Sequence, residues 1–576
     1  MKNQVISEMF ERMADVLEFK GENVFKINAY RKASRIIQNL TEDIENIWKM
    51  GRLREIPGVG EGIAKKIDEY LHTGKMKKYD EVTHDVSDSL IELMNIPGMG
   101  SKTLSLVHKE LGVKNLEDLK MVIEDGRLAR LPKIGEKKVE NIKRGIERLS
   151  VMRERLLLGR VLPLVEWIIE DLKKKTKVSQ IAPAGSLRRM KETIGDIDIL
   201  TAGKDGRRII EQFTHLPQVK EILVSGETKG SIITHGGIQI DLRVVPEESF
   251  GAALQYFTGS KAHNIKLRDM AKSRGLKINE YGIFKGEVRL GGQAEEEIYS
   301  LLGLPWIPPE LREDRGEIEA SLEGNLPELV DYQDILGDLH IHSNYSDGTS
   351  SIEEIAIKAR ELGYKFVAIC DHSQSVKYAG GLSEDQLLHQ IEEIKEINER
   401  IDGIKILAGN EVDIKQDGTL DYPDSILAKL DIVIAAIHQG FRKQVTERMI
   451  KAMENPYVNI IAHPTGRLIS GREGYGVNLD LILEKAAETN TLLEINAYYD
   501  RLDLNDINCR KAKKLGIRFS IGTDAHHVDQ LWMIRLGVGV ARRAWINKLD
   551  LINTYPLNEL EDFLKMKIWN NYRLMK

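Results

Sequence analysis

Apolar and polar residues change their spacing twice along the chain. Residues 1–150 place apolar side chains at helical intervals between short turns that contain glycine, which predicts an all-helical region. Residues 178–305 contain strand-like runs such as IDILTA and IQIDLRVV, which predict a mixed sheet. From residue 337 short apolar strands alternate with polar helices, so we expect a βα barrel with its active site at the carboxyl ends of the strands.

Composition narrows the class of protein. A chain of 576 residues exceeds the ~100–200 typical of one domain, so we expect about three to five domains. No apolar run approaches the ~20 residues that span a bilayer, and the first residues, MKNQVISEMF, do not form a signal peptide. Cys370 and Cys509 are the only cysteines, which excludes a disulfide framework and favours a reducing cytoplasm.

The net charge of −6 argues against a strongly basic surface for nucleic acid. Residues 1–150 carry 27 basic and 25 acidic side chains, whereas residues 337–576 carry 30 basic and 35 acidic ones. Any contact with DNA must therefore depend on local geometry rather than on a large basic field.

Three related turns recur in the helical region: IPGVGEGIAKKI (56–67), IPGMGSKTLSLV (96–107) and LPKIGEKKVENI (131–142). Each turn opens an amphipathic helix and exposes amide N–H groups at its amino terminus, where a phosphate can bind. This pattern is typical of the helix-hairpin-helix motif, which holds the DNA backbone without reading sequence. The alternative is an ordinary helix-to-helix turn, and the third copy, with Lys133 in place of the first glycine, fits that alternative best.

Two acidic residues alternate in GDIDIL. Asp196 and Asp198 therefore point to one face of a strand, and Asp241 in IQIDLRVV supplies a third carboxylate from a neighbouring strand. Three clustered carboxylates favour Mg²⁺, two ions of which can activate a 3′-hydroxyl and stabilise leaving pyrophosphate. The preceding AGSLRR (184–189) offers backbone donors, a hydroxyl and an arginine for a triphosphate. The alternative for an isolated DxD is a solvated strand end.

Nine imidazoles and carboxylates mark the last part of the chain, and most follow an apolar strand. They are His340, His342, Asp347, His372, Glu411, His438, His463, Asp524 and His526. This mixture suits Zn²⁺, Mn²⁺ or Fe²⁺ rather than Mg²⁺, and nine ligands fit a cluster of two or three ions. We expect Glu411 to bridge two of them. The alternative, a hydrogen-bonded core histidine, explains one such residue better than nine.

The sequence resembles two known families. AGSLRRMKETIGDID, SGETKG, IDLRVVP, YFTGSKAHN and INEYGIF follow the palm and thumb of family X DNA polymerases, the DNA polymerase beta group, and FKINAYRKA extends the resemblance over roughly residues 1–315. It implies a metal-binding catalytic triad, a triphosphate site, a floor that senses the sugar, and contacts to the nascent base pair. The residues implied, in that order, are Asp196, Asp198 and Asp241; Gly185, Ser186, Arg189 and Gly195; Tyr256, Phe257 and Gly259; Asn264 and Arg268.

The same resemblance implies roles in the helical region. Carbonyl groups of the hairpins would hold Na⁺ or K⁺ ions that bridge to DNA phosphates, at Arg54, Ile56, Val59, Met94, Ile96 and Met99. Lys66 falls where the family carries its Schiff-base lysine for deoxyribose-phosphate lyase activity; the alternatives are the adjacent Lys65 and a solvated helix lysine. Two departures are Gly62, where a lysine of the 5′-phosphate pocket is expected, and Ala184, where a first glycine is usual.

The histidine-rich part resembles the PHP (polymerase and histidinol phosphatase) family over residues 337–576. The resemblance implies a distorted seven-stranded βα barrel and a three-metal site for phosphoester hydrolysis. It implies one ion held by His340, His342, Glu411 and Asp524, a second by Asp347, His372 and His526, and a third by Glu411, His438 and His463. Asp347 stands where some members have histidine, and Arg467 and Lys443 are candidates for contacts to substrate phosphate.

Together the two resemblances imply a multidomain repair enzyme of the bacterial and archaeal family X type. The expected order is a helix-hairpin-helix lyase-type domain (1–80), a duplex-binding helix-hairpin-helix domain (81–150), an α/β nucleotidyltransferase palm (151–255), a thumb (256–315), a linker (316–336) and the PHP domain (337–576). They imply gap-filling synthesis on primer–template DNA with deoxynucleoside triphosphates, a Mn²⁺-stimulated 3′→5′ exonuclease and, in some members, cleavage at abasic sites. We expect a cytoplasmic monomer at the nucleoid. The alternatives are a PHP domain that hydrolyses small phosphomonoesters, and a non-catalytic DNA-binding scaffold.

Overall fold

The computed structural model describes residues 2–38, 44–56, 59–96, 98–132, 134–153 and 155–574. The chain divides into two compact units, Met1–Glu154, here the helical unit, and Arg155–Lys576, here the large unit. Within the described residues, no helix is both long and apolar enough to cross a membrane.

The helical unit is all-α, as predicted. Its helices are α1 Lys2–Phe19, α2 Val24–Gln38, α3 Ile44–Lys49, α4 Glu61–Thr73, α5 Lys77–Thr83, α6 Asp88–Glu92, α7 Ser101–Leu111, α8 Leu116–Glu124 and α9 Glu136–Arg153. Short 3₁₀ turns at Leu53–Glu55, Leu93–Asn95 and Leu128–Arg130 precede α4, α7 and α9, so each of the three sequence repeats follows a 3₁₀ turn and leads into a helix. Their apolar positions recur three residues apart and face one core, with Ala64 and Ile67 buried in α4 and Leu104 and Val107 buried in α7.

The first part of the large unit contains a mixed sheet. The strands of this part are β1 Leu156–Leu157, β2 Val178–Pro183, β3 Thr193–Ile194, β4 Ile197–Gly203, β5 Val219–Ser225, β6 Lys229–Thr234 and β7 Gln239–Val245, of which β1 and β3 pair with each other. Its helices are α10 Leu158–Lys175, α11 Gly185–Arg188 and α12 Gly206–Thr214. Five strands form one sheet in the order β2-β4-β7-β6-β5, in which β4 and β7 are parallel and the other pairs antiparallel. The parallel pair places the predicted aspartates side by side.

A small helical and three-stranded region follows. It comprises α13 Phe250–Thr258, α14 Lys261–Ser273, β8 Lys277–Asn279, β9 Gly282–Lys285, β10 Val288–Gly291 and α15 Glu295–Leu301. Residues 316–336, expected as a linker, are packed: helix α16 (Glu317–Leu322) buries its Glu317 carboxylate 2.7 Å from His263 Nδ1. Val330 N donates to Ile546 O at 3.0 Å, so this acid-rich stretch is tied to elements on either side.

The remainder of the large unit is a βα barrel. Its strands are β11 Gly337–Ile341, β12 Phe366–Ile369, β13 Lys405–Asp413, β14 Ile432–Ala436, β15 Ile460–Ile461, β16 Leu492–Asn496 and β17 Phe519–Gly522. Its helices are α17 Ile352–Glu361, α18 Glu384–Arg400, α19 Asp424–Leu427, α20 Val445–Glu454, α21 Leu479–Thr489, α22 Asp506–Lys513, α23 Ile534–Arg543 and α24 Leu557–Leu574. The seven strands are parallel and lie in chain order.

Backbone bonds between the first and last strands complete the barrel. Asp524 N donates to His340 O, and His342 N donates to Ala525 O, both at 2.9 Å. The strands are buried on both faces, as their uninterrupted apolar runs predicted. The prediction of a distorted seven-stranded βα barrel is therefore confirmed.

Candidate active sites

The three predicted aspartates meet on one face of the five-stranded sheet. Asp198 on β4 and Asp241 on β7 are register partners, and Asp196 directly precedes β4. Burial, together with the carboxylates of Asp196 and Asp241, raises the pKa of Asp198. Mutual repulsion of this kind is what oxygen-liganded cations relieve, so the donor set fits Mg²⁺.

Asp241 has cationic and polar partners of its own. Its Oδ2 lies 2.8 Å from Lys229 Nζ, and its Oδ1 accepts a 2.6 Å hydrogen bond from Ser231 Oγ. Burial alone would raise the pKa of Asp241, but the bonds from Lys229, Ser231 and Gln239 outweigh it and lower the pKa. The carboxylate is therefore held charged and oriented on the sheet face.

The predicted turn 184–189 and the predicted triphosphate residue Gly195 lie in one segment, residues 184–195, here called the triphosphate turn, which is attached to the same strand. Ala184 N donates to Asp198 O at 2.9 Å, and Gly185 has φ +60°, a left-handed conformation that favours glycine. A Cβ at Gly195 would lie 3.1 Å from Arg155 Nη1, which is tighter than most real contacts. The turn, with Ser186 in it, is thereby held against the carboxylates.

Arg189 does not stand free for a triphosphate in this structure. Its Nε lies 3.0 Å from Glu313 Oε1, and its Nη1 donates to Thr258 O. Arg188, which the sequence analysis did not single out, pairs with Glu295 at 2.7 Å. Arg189 must therefore exchange partners to reach a nucleotide.

The predicted sugar floor and base-pair contacts lie where α13 meets α14. The rings of Tyr256 and Phe257 pack edge to face with centroids 5.2 Å apart, and Gly259 has φ +67°. Asn264 Nδ2 donates to Tyr256 O at 2.8 Å, and Arg268 Nε donates to Asn264 O at 3.2 Å. Asn264 therefore holds the backbone carbonyl of Tyr256, one of the predicted floor residues, in place.

Lys66 and Lys65 lie in different surroundings. Lys66 Nζ donates to Gly62 O at 2.8 Å and lies 5.7 Å from the ring centroid of Tyr30. Burial first, then the charge of Lys78, lowers the pKa of Lys66. Lys65 is exposed and pairs with Glu61 at 3.1 Å, so the two amines differ in exposure and in partner.

The first two hairpin sequences, at 56–67 and 96–107, have an equivalent backbone hydrogen bond. Val59 N donates to Ile56 O at 3.0 Å, and Met99 N donates to Ile96 O at 2.8 Å. Arg54 and Met94 lie in the 3₁₀ turns just before these bonds, and the Arg54 side chain pairs with Glu61. Lys133 of the third copy lies outside the described residues.

All nine residues predicted as barrel ligands gather at the carboxyl end of the barrel. Eight of the nine form three overlapping groups, within each of which the ligand atoms lie within 4.8 Å of one another, and the ninth, His463, lies 2.9 Å from Glu411. The groups are His340, His342 and Asp524; His342, Asp347, His372 and His526; and His372, Glu411 and His438. The division implied by the family pattern shares Glu411 between two ions, whereas in these groups the shared residues are His342 and His372 and Glu411 belongs to one group.

Glu411 lies at the centre of this arrangement. Its Oε2 is 2.8 Å from His372 Nδ1 and 3.2 Å from His438 Nε2, and its Oε1 is 2.9 Å from His463 Nε2. His340 Nε2 is 3.8 Å from Oε2. Both oxygens of one buried carboxylate thus face different imidazoles, which is the geometry of a bridging ligand.

The charge balance of these residues favours cations. Burial disfavours a charged imidazole, yet Glu411 and Asp347 outweigh burial and raise the pKa of His372 to about 10. His342, buried between His372 and His526, has its pKa lowered to about 3. Both nitrogens of His342 and the Nε2 of His340 are buried and make no normal hydrogen bond to a described residue. Unpaired imidazole nitrogens around buried carboxylates fit bound metal ions.

A second layer, which sequence reasoning missed, orients these ligands. Glu494 on β16, the one strand without a predicted ligand, accepts from His340 Nδ1 at 2.7 Å and from His463 N at 2.8 Å. Asp413, two residues after Glu411, accepts from His438 N at 2.9 Å. The signal available was their place on strands, where alternate positions face the barrel interior.

The structure changes the candidates for phosphate contacts. Arg467 pairs with Glu192 at 2.6 Å, and Lys443 Nζ lies 3.2 Å from Gln416 Oε1, so both have protein partners. Arg501, which the sequence analysis did not name, has Nε 3.4 Å from Asp524 Oδ2 and a buried Nη1 with no hydrogen-bond partner among the described residues. Arg501 is the better-placed cation beside the metal ligands.

Comparisons with known proteins match each part of this structure. Family models match residues 1–76 (helix-hairpin-helix domain), 90–148 (SAM-like helix-hairpin-helix tandem), 253–313 (DNA polymerase beta thumb) and 338–502 (PHP domain). The chain is 39% identical over 573 residues to the DNA polymerase/3′-5′ exonuclease PolX of Bacillus subtilis (strain 168), covering 98% of this chain and all of that protein. The chain belongs to the PolX family.

As a PolX protein, it is a family X DNA polymerase with a carboxyl-terminal PHP domain, and its substrates are a DNA template and deoxynucleoside triphosphates. Two further relatives match only part of the chain. DNA polymerase lambda of Arabidopsis thaliana is 27% identical over 349 residues, which is 54% of this chain and 62% of that protein. A probable phosphatase of Thermoanaerobacter sp. (strain X514) is 31% identical over 244 residues, which is 40% of this chain and 94% of the phosphatase.

Proposed function

We propose that this PolX protein fills short gaps in DNA during base excision repair. The observation that carries the proposal is the register pair of Asp198 and Asp241 with Asp196 beside it, next to the triphosphate turn. Mg²⁺ held by these carboxylates would activate the primer 3′-hydroxyl and stabilise leaving pyrophosphate. The chain's own part is to orient the substrates, through the turn amides, Ser186 and Arg189 at the triphosphate.

The test compares one-nucleotide gapped, nicked and open primer–template DNA, in Mg²⁺ and then in Mn²⁺. We expect incorporation on the gapped substrate to exceed that on the open one. Absence of incorporation on all three substrates, in both metals, contradicts the proposed function.

For the barrel we propose a metal-dependent 3′→5′ exonuclease that uses Mn²⁺ or Zn²⁺. Three overlapping ligand groups, which share His342 and His372, support two or three ions, and these would supply Lewis acidity for phosphodiester hydrolysis. Arg501, with its unpaired Nη1 beside Asp524, would bind the scissile phosphate. The name of the Bacillus relative supports this assignment.

A second candidate for the barrel is hydrolysis of small phosphomonoesters. The similarity to a probable phosphatase over nearly that protein's whole length favours it. Release of nucleotides from a 3′-labelled primer, compared with turnover of a free phosphomonoester at equal metal concentration, separates the two. Turnover of the phosphomonoester without release of nucleotides would show that the barrel is a phosphatase and not an exonuclease.

Two further activities are proposed for this repair function, one in the helical unit and one in the barrel. Lys66, with its lowered pKa, would form a Schiff base with an incised abasic site, and the barrel would cleave intact abasic sites. The hairpin carbonyls at Ile56 and Ile96 would hold Na⁺ or K⁺ against DNA phosphates. The enzyme would act as a monomer in the cytoplasm, at the nucleoid.

A further inference from the structure

The triphosphate turn of the polymerase site rests on the PHP barrel. Arg543, the last residue of barrel helix α23, donates from Nη1 to Arg189 O at 2.8 Å. Helix α23 approaches the turn closely, because a Cβ at Gly539 would lie 2.7 Å from the side-chain Cε of Met190. A residue of the nuclease domain therefore contacts the backbone of the nucleotide-binding arginine.

Arg543 and Arg189 also share one carboxylate. Arg543 Nη1 lies 2.9 Å and Arg189 Nε 3.0 Å from the same oxygen, Oε1 of Glu313. The three side chains are only 4%, 12% and 11% exposed, respectively. Burial would raise the pKa of Glu313, but the two guanidinium groups outweigh it and hold that pKa below its usual range. Glu313 is therefore a charged, largely buried group that depends on both arginines.

Asp506 fixes the other end of the Arg543 guanidinium. Its Oδ2 lies 2.8 Å from Arg543 Nη2 and 2.9 Å from Arg315 Nη1. Arg543 is thus held by Asp506 on the barrel side whether or not Arg189 stays in place. Among the described residues Arg189 pairs with Glu313 alone, and its Nη1 donates to a backbone carbonyl, Thr258 O.

This asymmetry determines which arginine can leave Glu313. Arg189 must give up Glu313 and Thr258 O before its guanidinium can pair with a triphosphate. Leaving a buried carboxylate without a partner is strongly unfavourable, so the exchange requires a second cation on Glu313. Arg543 is that cation.

We propose that Arg543 of the PHP barrel is a positioning residue for nucleotide incorporation, which neutralises Glu313 so that Arg189 can transfer to the incoming triphosphate. The inference rests on the proposed role of Arg189 in binding the triphosphate. It makes the barrel part of the polymerase site, in addition to its own chemistry. A second attachment supports it: Arg467, four residues after the predicted metal ligand His463, pairs with Glu192 in the same turn at 2.6 Å.

The test is single-nucleotide gap filling by the full-length enzyme, with kcat and the KM for the nucleotide measured separately. We expect Arg543→Gln to raise KM about tenfold, because Arg189 is then the one arginine that pairs with Glu313 among the described residues. The kcat should change by less than about threefold, since the three aspartates Asp196, Asp198 and Asp241 are unchanged. Arg543→Lys, which keeps one charge beside Glu313, should recover part of the loss.

The matched control is Arg535→Gln. Arg535 lies on the same helix and pairs with Glu166, outside the triphosphate turn, across the same boundary between sheet and barrel. This variant should keep the parent KM. An equal rise in KM for Arg535→Gln and Arg543→Gln would indicate general loosening of the boundary and overturn the proposal.

A double-variant cycle tests whether Arg543 acts through Arg189. Arg189→Gln should raise KM by itself, and adding Arg543→Gln should raise it no further, because no arginine is left to transfer. Fully additive effects, or an Arg543→Gln enzyme with the parent KM, would overturn the proposal. An unchanged KM for Arg189→Gln would overturn it through the role of Arg189, whereas a parent enzyme without any incorporation would instead contradict the proposed function.

Discussion

His340 Nδ1 lies 2.7 Å from Glu494 Oε1, while His340 Nε2 is buried and makes no normal hydrogen bond to a described residue. One ring nitrogen is therefore oriented by a carboxylate and the other is directed at the ligand cluster. A carboxylate behind a histidine sets its tautomer and raises its basicity toward a metal. The same carboxylate accepts from His463 N, so Glu494 orients two residues of the cluster.

We expect Glu494→Gln to lower metal affinity about 10- to 100-fold, because the amide cannot draw the Nδ1 proton as a carboxylate does. Metal bound after dialysis, measured as a function of free Mn²⁺, checks this. Glu484→Gln, at an exposed position of α21, is the control and should bind as the parent does. Parent-like affinity in Glu494→Gln would remove Glu494 from the site.

Asp198→Ala should reduce nucleotide addition at least about 10³-fold, because several kcal/mol of charge stabilisation depend on the intact carboxylate set. Primer extension in Mg²⁺ measures this, and 3′-end digestion by the same preparation is the control. Digestion should persist, since Asp198 lies on β4 and not in the barrel. A variant that extends primers near the parent rate would contradict the catalytic assignment.

Glu411→Ala should impair the barrel more than His438→Ala. Glu411 contacts several imidazoles through both oxygens, whereas His438 faces only Glu411 and Asp413 within 4.0 Å among the ion pairs of the described residues. We expect Glu411→Ala to lose at least two of its metal ions and nearly all 3′-end digestion, while His438→Ala keeps more of both. Metal content and digestion are measured side by side.

Primer extension by Glu411→Ala serves as the folding control, because the three aspartates are unchanged. A Glu411→Ala protein that keeps its metals and digests primer like the parent would contradict the assignment of Glu411 as the bridging residue. It would also assign the nuclease activity to another site or a contaminant.

The sequence predicted those parts of the structure that follow from local periodicity. Asp196 and Asp198 alternate at the start of β4, and β11–β17 appear as separate apolar runs, so both sites could be located along the chain. Alternation along the strands could indicate that Glu494 faces the barrel interior, but not which ligand it orients, because Glu494 lies 154 residues from His340.

The same limit explains the incomplete assignment of arginines. Arg467 was expected at substrate phosphate, but it pairs with Glu192, and no local pattern in the sequence reports such a partner. Arg189 was expected at a triphosphate, and the sequence does not indicate that Glu313 holds it in this structure. The partner of a long charged side chain depends on which elements pack beside it in the tertiary structure, and the periodicity of the sequence does not report this.

The last prediction concerns Lys66 in the helical unit. Burial and the charge of Lys78 lower the pKa of Lys66, which increases the neutral amine that attacks an aldehyde carbon. Borohydride should trap a covalent adduct with incised abasic DNA, and Lys66→Ala should reduce trapping at least about tenfold. Lys65→Ala is the matched control, because Lys65 is exposed and pairs with Glu61, and it should trap like the parent.

Lys78→Gln tests the cause of the lowered pKa: removing the neighbouring charge should let the pKa of Lys66 rise and move the rate profile for trapping to higher pH. Undiminished trapping in Lys66→Ala would assign the nucleophile elsewhere, and no trapping in the parent would remove the lyase activity from this protein.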